Sequence, residues 1–169
     1  KISFKKGSGS YLIATNGKRY LDFCSGIAVN SLGHANPRLV KALNKQAKKV
    51  WHVSNAFTIP EGEELAKKLV KKTFADSVIF QNSGTEATEV AIKAARRYFY
   101  SIGKPKKNRI LCVKNSFHGR TIAAIFASES KKMTESFRPK VSEFDHFTFG
   151  DHNYLKKKIT KNTAAIMVE

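Results

Sequence analysis

The chain has 169 residues, of which 41% are hydrophobic, enough for a domain with a real core and too many for a disordered segment. It carries 31 Lys and Arg against 13 Asp and Glu, a formal charge of +18 that invites a nucleic-acid reading. No apolar run is long enough to span a bilayer, no signal-peptide core opens the chain, and Cys24 and Cys112 form no C-x-x-C pair, so neither a zinc site nor a disulfide framework is expected.

Residues 11–15 and 18–23 flank Asn16-Gly17 and read as a β-hairpin with a tight type I′ turn. Residues 25–34, rich in small residues and glycine, read as loop. Asn36-Pro37 starts a helix, with Asn as cap and Pro at the first helical position; Leu39, Val40, Leu43, Ala47, Val50 and Trp51 fall on one face. A second helix starts near Pro60-Glu61, with Leu65, Leu69, Val70 and Phe74 as its stripe. Residues 76–81 read as a strand. A long helix follows Asn82-Ser83-Gly84-Thr85-Glu86-Ala87 and ends at Gly103, with Glu89 and Lys93 spaced as an ion pair. Residues 109–113 form a second apolar strand, 122–127 a short helix, 130–150 a loop, 151–159 a helix and 164–168 a third strand. Strands alternating with helices after residue 75 predict an α/β fold with a parallel sheet. The expected organisation is a hairpin segment over 1–35, a helical connection over 36–75 and an α/β domain over 76–169.

The turn at Ser83, Gly84 and Thr85 carries the first functional signal. A strand that opens through a glycine turn into a helix presents unpartnered N–H groups and the positive end of the helix dipole, which suits a phosphate. The same residues also describe an ordinary helix cap, with Ser83 or Thr85 as N-cap and Glu86 and Glu89 in the first turn. Spacing alone leaves both readings open. The lysine clusters at 45–49, 67–72, 104–107 and 156–158 read as solvated helix faces rather than a phosphate track. Each cysteine reads as a small buried hydrophobe.

Four features occur in one order: Gly26 to His34, Ser83-Gly84-Thr85, Phe117-His118-Gly119-Arg120 and a strand ending in Glu169. Together they resemble the class III aminotransferases, the ornithine- and GABA-type enzymes of fold type I that use pyridoxal 5′-phosphate. The resemblance covers Gly9 to Glu169. Residues 22–34 and 117–121 look most like the acetylornithine branch.

The resemblance implies that Ser83, Gly84 and Thr85 hold the cofactor phosphate. Phe117 would stack on the pyridine ring, and Arg120 would grip the substrate carboxylate through its planar fork. His118 and Glu169 would support the site, the histidine by packing rather than proton transfer. The Schiff-base lysine and the aspartate partner of the pyridine nitrogen lie further on in relatives, and Lys161 reads as solvent-exposed. No catalytic residue is therefore expected among these 169. The chain reads as the N-terminal part of a longer cytoplasmic, homodimeric enzyme and is expected to be inactive alone.

The implied reaction is transamination of N-acetylornithine with 2-oxoglutarate in arginine biosynthesis. Ornithine, GABA, succinylornithine and acetyl-lysine aminotransferases remain as rivals; Ile27, where some ornithine enzymes have tyrosine, favours an acylated donor. A basic nucleic-acid-binding module is the alternative from another class.

Overall fold

The computed structural model describes residues 1–169, which divide into two compact units, Lys1–Phe74 and Ala75–Glu169. The first unit opens with an antiparallel sheet, order β1 (Phe4–Ser8), β2 (Tyr11–Ala14), β3 (Arg19–Leu21). The hairpin stands where the sequence predicts it, but its turn is not type I′. Gly17 N–H donates to Ala14 O at 2.9 Å, and only Gly17 enters the left-handed region, at φ 84°. The result is a three-residue loop closed by a left-handed glycine, the second common way to join twisted strands. Asn16 accepts from Lys18 N–H through its side chain at 3.0 Å, so it needs no positive φ of its own. Strand β1, whose lysines and glycine hide any alternation, extends the hairpin.

The stretch expected as a loop after residue 24 contains a single turn, α1 (Ser25–Ala28), with Ser25, Gly26, Ile27 and Ala28 all at positive φ. Asp22 holds it: one carboxylate oxygen accepts from Cys24 and Ser25 N–H at 2.9 Å, and the other meets His34 Nε2 at 2.7 Å. This His34 contact and the Cys24 and Ser25 N–H bonds hold the Asp22 carboxyl below its ordinary range. Cys24 is exposed, contrary to expectation, at the start of this turn, where its N–H is held by Asp22. Helix α2 (Pro37–Ala47) is capped by Asn36, which accepts from Arg38 N–H at 3.0 Å. Val50 and Trp51 lie beyond its end. Helix α3 (Pro60–Lys72) starts on Pro60. Their apolar stripes are exposed, Leu43 at 70% and Leu65 at 48%, with no element of this chain covering them.

The second unit holds the core. Residues 76–81, expected to be a strand, pair with none; no strand of the chain lies alongside to complete a ladder. Helix α4 (Gly84–Ser101) follows and ends at Gly103, whose φ of 74° lets Gly103 and Lys104 N–H return to Tyr100 and Phe99 carbonyls. A parallel sheet, order β5 (Phe144–Phe147), β4 (Arg109–Val113), β6 (Thr163–Met167), forms the centre. Between its strands run α5 (Ile122–Ser128), α6 (Lys131–Thr134) and α7 (His152–Lys158). Strand β5 and α6 fall where the sequence suggests only loop.

Strand β4 is buried on both sides, and its alternation sorts the core. Ile110 and Cys112 join Ile92 of α4 and Ile125 and Phe126 of α5 on one face; Leu111 and Val113 join Phe147 and Leu155 on the other. Burial pushes the Cys112 thiol up to about 12, so it packs as a hydrophobe. At the strand's start Arg109 takes Asp145 through two bonds of 2.6 Å and Glu143 through one of 2.7 Å. Asp145 keeps its charge below the ordinary range because Arg109 lies against it. No helix is long and apolar enough to cross a membrane.

Leu111 is fully buried at the centre of the sheet. Leu111→Ala is expected to lower the unfolding free energy by about 2–5 kcal/mol, read from the urea midpoint at constant slope. His146 on β5 is buried, with Nε2 3.1 Å from the carbonyls of Phe126 and Ala127. Burial lowers its pKa below the ordinary 6.5. The unfolded chain then takes up a proton that the fold resists, so stability falls as pH drops below 6.5 and through the depressed folded value. His146→Gln is expected to flatten the acid side of the stability–pH curve; an unchanged slope between about pH 7 and 5 contradicts this.

Candidate functional site

Parallel strands deliver their ends to one side, and the loops leaving β4 and β6 there meet the start of α4. After β4 the chain reverses at Asn115, which takes a left-handed φ of 59° and donates its N–H to Ser128 O. The segment 116–121 then crosses the first turn of α4. Three hydrogen bonds hold it there. Phe117 N–H donates to Glu169 Oε2 at 2.5 Å, Arg120 N–H to Thr85 Oγ1 at 3.3 Å, and Thr121 Oγ1 to Glu89 Oε1. Glu89 thus serves this loop; no ion pair joins it to Lys93.

Gly119 makes the crossing possible. Its φ is 123°, and a Cβ there would stand 2.0 Å from Thr85 Oγ1. Only glycine lets the loop backbone lie this close to the helix.

The open cleft between them has a volume of about 510 Å³ and is lined by Ser83, Gly84, Thr85, Phe117, Arg120 and Glu169, among others. Gly84 and Arg120 therefore share one cavity, as the proposed pairing of anion turn and carboxylate fork requires.

The start of α4 resolves the two readings of its turn. Ser83 is the N-cap: its Oγ accepts from Glu86 N–H at 3.3 Å and donates to Glu86 Oε2 at 2.7 Å. That hydroxyl has one proton and it is committed. The N–H groups of Gly84 and Thr85 have no protein acceptor, and no atom lies within 4 Å of where a Gly84 side chain would begin. Thr85 Oγ1 accepts from Arg120, which leaves its own proton to donate. The capping box and the anion site therefore coexist on adjacent residues. Two amides, one hydroxyl and the positive helix end form a donor set that fits a phosphate ester. Phe117, 51% exposed, lines the same cleft and offers a flat apolar wall that fits an aromatic ring on that phosphate.

Arg120 faces the cleft without a carboxylate partner. Its guanidinium lies 5.4 Å from the centre of the Phe117 ring, and Nη1 is 3.9 Å from Met133 Sδ. The fork is held by soft, weakly competing contacts, so a carboxylate can displace them. His118 is tied to buried Ser116: Nε2 to Oγ is 2.8 Å, while Ser116 Oγ donates to Val113 O at 2.7 Å. The serine proton goes to the carbonyl, so the histidine donates from Nε2. Burial lowers the His118 pKa, keeping the ring neutral. Ser116 was not singled out by sequence; Glu89 was read as a first-turn or ion-pair residue and Thr121 as the end of the 117–121 motif, and only their contacts reveal them as loop fasteners. Lys161 is exposed and Ile27 projects from its turn with 92% of its surface open, in the first unit.

Residues 1–169 match the family model described as aminotransferase class-III. The chain is 54% identical over 168 residues to acetylornithine aminotransferase from Agrobacterium fabrum, covering 99% of this chain and 42% of that protein. It is 44% identical over 164 residues to the succinylornithine transaminase/acetylornithine aminotransferase of Pseudomonas aeruginosa, covering 97% of this chain and 40% of that one. Among solved structures, an ornithine aminotransferase from Toxoplasma gondii, reported with partial occupancy of PLP at its active site, superposes with a TM-score of 0.94 at 29% identity over 99% of this chain and 40% of its own. The chain spans about two fifths of the length of these relatives. With a family match that runs from its first residue to its last, the chain belongs to the class-III aminotransferases.

Proposed function

We propose that the protein is a pyridoxal 5′-phosphate-dependent aminotransferase that moves the δ-amino group of N-acetylornithine to 2-oxoglutarate, in arginine biosynthesis. The observation that carries this reading is the single cleft in which the free amides of Gly84 and Thr85, the Phe117 ring and the unpaired Arg120 fork converge. The likeness to acetylornithine aminotransferases supports the choice of donor.

When bound, pyridoxal phosphate supplies the electron sink that lets an amino group pass from donor to acceptor. This chain's residues bind and orient. Gly84, Thr85 and the α4 dipole hold the phosphate, and Ser83 fixes the helix start that aims them. Phe117 covers one face of the ring and excludes water from it. Arg120 holds the donor's α-carboxylate by two parallel bonds, which sets the angle at which the distant amine reaches the ring. His118 and Glu169 keep the Phe117–Arg120 segment in register. No lysine lines the cleft, so the group that takes and returns the proton is not among these lining residues. A homodimer and a cytoplasmic location belong to the same proposal.

The lysines support an enzyme over a nucleic-acid module. Of the clustered lysines, Lys45, Lys71, Lys72, Lys156, Lys157 and Lys158 stand in the last turns of α2, α3 and α7, where cations meet the negative helix end.

In the full-length protein, Arg120→Lys keeps the charge and loses the fork. It is expected to lower kcat/KM for N-acetylornithine by about 10- to 100-fold at unchanged cofactor content. Steady-state rates equal to wild type would remove Arg120 from substrate binding. Gly119→Ala pushes a methyl into Thr85 and is expected to weaken cofactor retention by about tenfold or more, followed by the visible absorbance of the enzyme on dialysis.

A further inference from the structure

Arg120 lines a second cavity besides the cleft, with a volume of about 600 Å³. Ile122 and Ile125 of α5, Met133 of α6 and Phe137 form its apolar wall. Ile122 is 47% and Phe137 54% exposed, and Met133 is half-buried between them and the core, so the cavity admits a small solute to the methionine sulfur.

That sulfur lies 3.9 Å from Arg120 Nη1. A thioether is a weak acceptor, so the contact costs an incoming carboxylate little. An oxygen on the sulfur changes the balance. A sulfoxide is polar, and its oxygen accepts hydrogen bonds far better than a thioether sulfur. The 3.9 Å separation is already the sulfur–nitrogen distance at which such an oxygen, about 2.9 Å from Nη1 and at a bent angle, accepts an ordinary N–H···O bond. The other sulfurs of this chain stand elsewhere. Met167 of β6 packs against the core and lines neither cavity. Cys112 is buried, and Cys24, although exposed, belongs to the first unit.

We infer that Met133 is an oxidation site that governs Arg120: a peroxide converts its thioether to a sulfoxide, whose oxygen accepts from Nη1 and turns that nitrogen away from a carboxylate. In this step the O–O bond of the peroxide breaks and one oxygen bonds to sulfur; the sulfur is oxidised and hydrogen peroxide is reduced to water. The fork then offers a carboxylate one arm instead of two, which weakens substrate binding and leaves the amides of Gly84 and Thr85 untouched. A methionine sulfoxide reductase restores the thioether, so the change is reversible. Met133 acts through Arg120, as a positioning residue. The inference rests on the proposed reading of Arg120 as the carboxylate fork.

The test treats the full-length protein with bound cofactor with hydrogen peroxide and follows each methionine by peptide mass mapping. KM for N-acetylornithine is expected to rise about three- to tenfold in step with oxygen uptake at Met133. The turnover number and the visible absorbance of the bound cofactor are expected to hold, and KM to fall back when a methionine sulfoxide reductase is added. In Met133→Leu, KM is expected to be the same before and after treatment. Met133→Gln, which carries a carbonyl oxygen on a chain of similar length, is expected to raise KM without peroxide, and Cys24→Ser to respond to peroxide as wild type does. Three results overturn the inference: Met133 staying reduced while other methionines oxidise, full oxidation at Met133 with KM unchanged, or a rise in KM that persists in Met133→Leu. If Arg120→Lys lowers kcat/KM while oxidation of Met133 does not, the fork stands and this inference alone falls; if neither changes it, both fall.

Discussion

The site depends on how one loop is fastened to one helix. Residues 116–121 have little regular structure, yet they present the ring and the guanidinium that give the cleft its character. The three hydrogen bonds tie the loop to the segment that follows β6, through Glu169, and to the first two turns of α4, through Thr85 and Glu89. The Arg120–Thr85 bond joins neutral groups and is worth about 1 kcal/mol net; the two accepted by the carboxylates of Glu169 and Glu89 are of the stronger, charge-assisted kind. Their shared effect is to remove alternative loop conformations before any ligand arrives, which lowers the ordering cost of binding.

That fastening would be useless if α4 could shift, and the core prevents it. Ile92 packs against Ile110, Ile125 and Phe144. Arg96, one turn further, donates to Asn108 O at 3.2 Å and Ser142 O at 3.5 Å, with its guanidinium 5.5 Å from the Phe144 ring. The helix is thereby joined to the segments that enter β4 and β5. Arg109 ties those two strands together with Asp145 and Glu143. Charged side chains thus lock the amino ends of the strands, while the carboxyl ends stay open for a ligand. The geometry at Gly84 is inherited from a sheet whose other end is closed.

What the sequence makes legible follows from which signals are local. Asn36-Pro37, Gly103 and the apolar run 109–113 are local rules of capping and burial, and each element stands where they put it. Strand β5 is different. In Phe144-Asp145-His146-Phe147 two polar residues sit side by side, because Asp145 answers Arg109 and His146 answers the carbonyls of α5. Those partners are distant in sequence, so the alternation that marks a strand is absent. Residues 76–81 show the converse: Val78, Ile79 and Phe80 have strand propensity, but a strand exists only where a neighbour pairs with it. The stripes of α2 and α3 were equally legible, yet exposed in this chain, since periodicity reports that a face is to be covered and not by what. Within the site, the motif residues Gly84, Thr85, Phe117 and Arg120 were visible, whereas Ser116 and the fastening role of Thr121 emerge from contacts alone.

The helix start shows how an anion site can be built beside an acidic residue. Glu86 lies three residues beyond the cap, where the dipole that attracts a phosphate also favours this carboxylate, a like charge that would repel the phosphate. The structure engages it locally: Glu86 bonds to the Ser83 hydroxyl, and its own N–H is taken by that hydroxyl. The Ser83 hydroxyl thus satisfies one of the donors that would be left over, the Glu86 N–H, while Gly84 and Thr85 keep theirs. The number of free amides falls, but the remaining two lie beside the face where Gly84 has no side chain, and Thr85 adds a hydroxyl already oriented by Arg120 N–H. The turn thus offers an anion a small, fixed set of donors.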